Sequence, residues 1–177
     1  MPGTPVTPPE SGEDEPEQPS FTDVARGAWY TDAVNYVVAN GLMEGTSTTT
    51  FEPDATMTRS MVWAILARID GEAVTGGSWV DIARDWAMAN GISDGTDPNR
   101  SVTREQLATM LWRYAGEPAT AANLAGYSDG ASVSAYAVDA MSWCVEHMII
   151  CGVTDTTLVP QGTATRPQCA TMLMRFV

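Results

Sequence analysis

The chain has 177 residues, 44% of them hydrophobic, and a formal charge of −13 from 22 acids against nine bases, all of them arginine. That size and apolar content are enough to bury a core. The acidic balance argues against nucleic acid, which needs clustered cations, and against adsorption to anionic lipid.

Residues 1–20 hold six of the eleven prolines and five acids (Glu10, Glu13, Asp14, Glu15 and Glu17). Such a stretch cannot bury enough apolar surface to order itself and reads as an extended, disordered linker. Met1-Pro2-Gly3-Thr4 lacks the basic start and apolar run of a signal peptide, so an export signal is expected upstream of this segment. No apolar run approaches membrane-spanning length, so no membrane insertion is expected.

From Phe21 the chain repeats itself. The stretch Trp29 to Leu42 recurs 50 residues later from Trp79 and 107 residues later from Tyr136. A second block follows in each copy, from Gly45, Gly95 or Gly152 to Thr58-Arg59, Thr103-Arg104 or Thr165-Arg166. A period of this kind fixes the architecture before any motif does. The expected organisation is one domain over 21–177, made of repeats 21–71, 72–118 (shortened) and 127–177.

Each repeat reads as helix, loop, helix. Trp29, Ala33, Tyr36 and Val37 share one stripe at helical spacing. Gly41 and Gly91 stop the first helix as glycine does at a C-terminus, whereas Met148 stands there in the third copy. The second helix offers Val62, Ile65, Leu66 and Ile69, then Leu107, Met110, Leu111 and Tyr114, then Cys169, Met172, Leu173 and Phe176. One hairpin cannot hide such a stripe alone, so the three should share a core.

The second helices begin with a recognisable cap. Threonine followed three residues later by Glu or Gln forms a capping box. Thr103/Gln106 and Thr165/Gln168 fit it, while Thr58/Met61 keeps only the threonine half. Arg59, Arg104 and Arg166 come next, in the first turn, where the helix dipole disfavours a cation by roughly 0.3–1 kcal/mol. A bound anion at the helix start would explain the recurrence; a structural bridge to a neighbouring lobe's carboxylate is the alternative. Arg68, Arg113 and Arg175 sit at the opposite, favourable end and read as dipole partners or ion pairs. Trp86 and Trp143 occupy the core position of Tyr36. Trp63 and Trp112 read as core or inter-lobe contacts. Trp29, Trp79 and Tyr136 open the first helices, where they either pack or stack on a sugar face.

Other chemistry finds little support. Cys144, Cys151 and Cys169 are an odd number, read as small buried hydrophobes with one bridge plus one free thiol as the alternative. His147 is the only histidine and no paired CxxC occurs, which disfavours zinc. The Ser93–Asn99 loop lacks the ligand spacing of a calcium loop, which also disfavours a dockerin. No metal and no cofactor is expected. With no nucleophile elbow and no phosphate-cradling loop, an enzyme is not expected.

The repeated blocks carry a resemblance. Phe21-Thr22-Asp23-Val24 and Tyr127-Ser128-Asp129-Gly130 open the first and third copies; Phe51-Glu52-Pro53 and Leu158-Val159-Pro160 sit in their loops. Thr58-Arg59-Ser60-Met61, Thr103-Arg104-Glu105-Gln106 and Thr165-Arg166-Pro167-Gln168 close the loops. In these features the chain resembles the S-layer homology (SLH) family. The resemblance implies a mainly α fold, three SLH repeats in a pseudo-threefold, three-lobed arrangement around a central three-helix bundle. It further implies grooves between repeats that bind an anionic, pyruvylated secondary cell-wall polysaccharide. The chain would then be a non-covalent anchor at a bacterial surface, cell wall or S-layer. Expected ligand-binding residues are Arg59, Arg104, Arg166, Trp29, Trp79, Tyr136, Gly45, Gly95 and Gly152. The alternative is a protein-interaction module for S-layer self-assembly, with other S-layer subunits as partners, or for docking another surface protein. Copy two departs from the pattern: its opening block is missing and its loop is five residues shorter. The family's glutamate after Thr-Arg is replaced by Met61, Gln106 and Gln168.

Overall fold

The computed structural model describes residues 21–177, so the linker expected over 1–20 lies outside the described residues. Six α-helices account for the ordered elements: α1 Thr31–Ala39, α2 Arg59–Ile69, α3 Trp79–Ala89, α4 Arg104–Tyr114, α5 Val138–Glu146 and α6 Arg166–Phe176. Two single turns of 3-10 helix, Gly130–Ser132 and Ala135–Ala137, lead into α5. Among the described residues there are only isolated β-bridges, so the fold is mainly α.

The helix starts follow from their caps. Thr103 and Thr165 accept from the Gln106 and Gln168 amides at 3.3 and 3.4 Å, and each glutamine side chain accepts from its threonine N–H in return. Thr58 makes only the bond from Met61 N–H, as expected where methionine replaces the returning acceptor. At the ends of α1 and α3, Gly41 and Gly91 take φ of +66° and +68°. Met148 takes the same left-handed conformation after α5, at φ 55°. A side chain there is unfavourable but not prohibited, and the methionine points to solvent.

The repeats interlock in a cycle. The main helix packing pairs α2 with α3, α4 with α5 and α6 with α1, so each second helix packs on the first helix of the next repeat. The stripes behave as their spacing predicts: Val62, Leu66, Leu107, Leu111, Cys169 and Leu173 are buried. Ile69, Tyr114 and Phe176, at the helix ends, are partly buried against that core, and Tyr114 meets Phe176 edge-on at 5.9 Å.

A closed triangle of backbone hydrogen bonds joins the three loops. Met57 N–H donates to Ala164, Ala164 to Val102 and Val102 to Met57, at 3.0, 2.9 and 2.8 Å. One step later, the first-turn N–H groups of the second helices, which have no partner within their own helix, are satisfied by a neighbouring repeat. Arg59 N–H donates to Arg100 O, Arg104 N–H to Gly162 O and Arg166 N–H to Ala55 O. Ser60 and Glu105 donate to Pro98 O and Pro160 O. Pro167 takes the matching place in α6, where a residue without an N–H costs no intrahelical bond but forgoes this inter-repeat one.

The opening blocks act as clamps on these loops. Asp23 accepts from the Phe51 and Glu52 amides, and Asp129 from the Leu158 and Val159 amides, at 2.7 to 3.1 Å. The Leu158 bond first, then that from Val159, holds the Asp129 carboxyl below its ordinary value. For Asp23, partial burial pushes upward, but the Phe51 and Glu52 bonds outweigh it. A folded-state pKa below the unfolded one gives stability that is present above the unfolded pKa, about 4, and lost as pH falls through the folded value. Asp129→Asn should therefore flatten the acid limb of the melting temperature as pH falls below about 4, as thermal melts on the acid side would show. An unchanged acid limb would mean that the clamp contributes nothing to stability.

Candidate functional site

Three grooves recur around the cycle, each built from parts of three repeats. The wall is the loop and second helix of one repeat. The first-turn arginine of the preceding repeat enters from one side, and the aromatic opening the next repeat's first helix closes the other. The first groove, about 730 Å³, combines Gly45 and Arg68 with Arg166 and Trp79. The second, about 420 Å³, combines Asp94 and Arg113 with Arg59 and Tyr136. The third, also about 420 Å³, combines Gly152 and Arg175 with Arg104 and Trp29. The structure thus gathers the expected arginines and aromatics into equivalent places. Gly95 lies in the loop of the second groove between Ser93 and Thr96, which line it.

The first-turn arginines are committed to the loops they reach. Arg166 Nε donates to Phe51 O and Nη2 to Glu44 O, both at 2.6 Å, and the guanidinium lies 4.4 Å from the Phe51 ring. Arg104 Nε donates to Leu158 O at 2.8 Å and Nη2 to Cys151 O at 3.2 Å. Arg59 reaches Thr96 O at 2.8 Å and Ser93 Oγ at 2.9 Å, and pairs with Asp94 at 2.8 Å. Of the two readings open from sequence, the bridge is therefore present in all three. Its acceptors are chiefly backbone carbonyls, and only Arg59 meets a carboxylate. Arg104 and Arg166 are 5% and 8% exposed, and burial pushes both pKa values down.

Arg68, Arg113 and Arg175 occupy the groove walls, a place that their reading as helix-end dipole partners missed. The two roles coincide geometrically, because the helix end is also the groove rim. Their matched recurrence was the available signal. Arg68 donates to Val74 O and Arg113 to Ile92 O, while Arg175 Nη1 lies 3.3 Å from Cys151 Sγ.

The aromatics divide as expected in part. Trp86 and Trp143 are buried, and Trp63 is fully buried. Trp112 is partly buried against the core, and its indole N–H donates to Pro118 O. Trp29 is 67% exposed and Tyr136 52%, but Trp79 is partly buried against the core. Tyr136 is held in place by Glu105, which accepts its hydroxyl at 3.2 Å. Burial first, then the Glu105 charge, pushes the phenol up to about 12. Cys144 and Cys169 are buried, whereas Cys151 is exposed, which corrects the reading of all three as core; all are free thiols.

The groove glycines have a packing reason for their identity. A Cβ on Gly152 would collide with the Thr154 carbonyl oxygen and lie 2.8 Å from that of Thr157, and Gly45 meets the matching obstacles in Ser47 and Thr50. Backbone cannot move aside as a side chain can. Gly152→Ala should cost about 1–3 kcal/mol through forced loop displacement, measurable by chemical denaturation. A loss below a few tenths of a kcal/mol would show that the loop accommodates the methyl group freely.

The shortened second repeat keeps its groove by a local device. Asp97-Pro98 stands where Glu52-Pro53 and Val159-Pro160 stand, and all three residues before proline have φ near +50°. Lacking an opening block, the loop is held by its own Asp94, which accepts from Thr96 N–H and Oγ1 and from Arg59. That carboxylate is thereby occupied. Among the described residues no cluster of three or more His, Cys, Asp or Glu is placed to hold a metal, and no helix is long and apolar enough to cross a membrane.

Comparison with known proteins agrees with this construction. The S-layer homology domain family model matches residues 20–60 and 126–168. The Surface-layer 125 kDa protein of Lysinibacillus sphaericus is 34% identical over 113 residues, 53% of this chain and 10% of that protein. The Amylopullulanase of Thermoanaerobacterium thermosulfurigenes is 27% identical over 175 residues, 87% of this chain and 9% of that protein. An Endoglucanase of a Bacillus strain is 28% identical over 170 residues, 86% of this chain and 18% of that enzyme. The chain thus spans less than a fifth of the length of these relatives. Directly matched S-layer homology domain repeats therefore lie on either side of a middle repeat that shares their groove geometry.

Proposed function

We propose that the chain anchors a larger surface protein by binding an anionic cell-wall polysaccharide, such as one bearing pyruvate ketals, in its inter-repeat grooves. The SLH repeats make this a cell-surface module. Relatives named as surface-layer protein, amylopullulanase and endoglucanase share only this portion with it, which suits an attachment device rather than a catalytic one. The observation that carries the ligand chemistry is the matched pair of guanidinium groups in every groove, with Arg100 as a third in the second groove, so that seven of the nine arginines line grooves in a chain of charge −13. Guanidinium groups match carboxylates in shape and charge, and an aromatic rim offers a face to a sugar ring. Several grooves on one chain would add avidity.

Sedimentation with purified, protein-free walls tests this reading. Retention that disappears once the wall polymer is stripped supports it. Retention only on envelopes that still carry protein would instead make the chain a module for S-layer assembly or surface-protein docking.

A further inference from the structure

The three grooves are alike in construction but not in charge. The residue before each groove glycine is Glu44, Asp94 or Cys151. Glu44 lines the first groove. Asp94 and Asp97 line the second together with Arg100, and the two carboxylates are already paired, with Arg59 at 2.8 Å and with Arg100 at 3.9 Å. The third groove contains Arg104 and Arg175 and, among the described residues, no carboxylate in its lining. Asp129 acts on Arg104 electrostatically, but its oxygens are taken up by the Leu158 and Val159 amides and it does not line the groove.

We propose that the third groove is the one that accepts the anionic group of the wall polymer, and that Cys151 determines this by placing a thiol where the other grooves carry an acid. The proposal rests on the anchoring reading above and narrows it to one site. An incoming carboxylate in the second groove must displace Asp94 to reach Arg59, exchanging one charge-assisted bond for another, and it meets the charges of Asp94 and Asp97 on its way to Arg100 or Arg113. In the third groove the side-chain acceptor that Arg175 meets among the described residues is the Cys151 sulfur at 3.3 Å, a weak acceptor. A ligand carboxylate replaces that contact with a stronger one. Arg104 adds a guanidinium held rigid by two carbonyls, and Trp29 supplies an exposed indole on the opposite rim. An acid at position 151 would work against binding by occupying Arg175 and repelling the ligand.

The test uses the whole chain and protein-free walls that retain their polymer, with polymer-stripped walls as the blank. Cys151→Ser should bind within about twofold of the parent chain, and Cys151→Asp at least tenfold more weakly. Alkylation of the unmutated protein makes the same comparison without altering the sequence. Cys144 and Cys169 are buried, and burial pushes both thiols up to about 12, so native protein should take up one equivalent at Cys151. Iodoacetate leaves a carboxylate there and iodoacetamide a neutral amide of nearly the same size. The carboxymethyl protein should bind at least fivefold more weakly than the carbamidomethyl one. Equal binding by those two adducts, or a folded Cys151→Asp chain that binds like the parent, would overturn the assignment of the third groove while leaving anchoring intact. A parent chain that ignores polymer-bearing walls would overturn the anchoring reading itself, and this proposal with it.

Discussion

Arg166→Ala and Arg104→Ala are each expected to destabilise the fold by about 3–5 kcal/mol, against about 1–2 kcal/mol for Arg59→Ala. Arg166 satisfies Glu44 O and Phe51 O, and Arg104 satisfies Cys151 O and Leu158 O. Hydrogen bonds to a charged group contribute roughly 1.5–3 kcal/mol each, and truncation leaves shielded carbonyls without a partner. Arg166 also loses its place over the Phe51 ring, worth about 0.5–2 kcal/mol by cation–π attraction and packing. Arg59 differs because its main charged partner, Asp94, is 68% exposed and can turn to water. Exposed ion pairs rarely contribute more than about 1 kcal/mol. Urea denaturation of the three variants checks the ranking. Equal losses would mean that loop carbonyls and an exposed carboxylate are equivalent partners here. The matched variants Arg68→Ala and Arg175→Ala, on the groove rims, should cost about 1 kcal/mol or less. If the first-turn arginines proved as dispensable, they would be free to serve a ligand alone.

Much of this construction could be read from sequence because it is local or repeated. The caps at Thr58, Thr103 and Thr165 depend on residues three positions away, and the missing acceptor at Met61 predicted the missing bond. The recurrence of arginine after threonine likewise picked out one of the matched cations of each groove, Arg59, Arg104 and Arg166. What sequence could not supply was the address of each side chain. Arg166 binds Glu44, 122 positions away, and no periodicity says that a first-turn arginine reaches into another repeat rather than its own. The same limit hid the meeting of Trp29 with Cys151, from opposite ends of the chain, in one groove. Cys151 was misread for another reason: its neighbours Ile149 and Ile150 are buried, and cysteine's general tendency to be buried made the exposed position look like core.

Removing the third repeat should have the largest effect of all, leaving a fragment over 21–120 without a cooperative fold. The cyclic pairing means that the cut costs more than one hairpin. Helix α4 loses α5, and α1 loses α6, so only the α2–α3 pair keeps its partner. Val34, Val37, Leu107 and Leu111, all fully buried in the intact chain, lie on the two abandoned helices. Exposing such side chains costs about 1.5–3 kcal/mol each, so the four together rival the whole 5–15 kcal/mol stability of a typical domain. The backbone loses its closure too. Ala164 leaves the hydrogen-bonded triangle, Arg104 N–H loses Gly162 O, and the Arg104 guanidinium loses both of its carbonyls. Arg59 would keep its contacts with Thr96 and Asp94 in the second repeat, so residual structure should be confined to that junction. Circular dichroism and sedimentation of the fragment should show reduced helicity, a broad melt and self-association through the exposed stripes. A sharply melting monomer would mean that two repeats close without the third, and that the cycle is an arrangement of independent units rather than one cooperative fold.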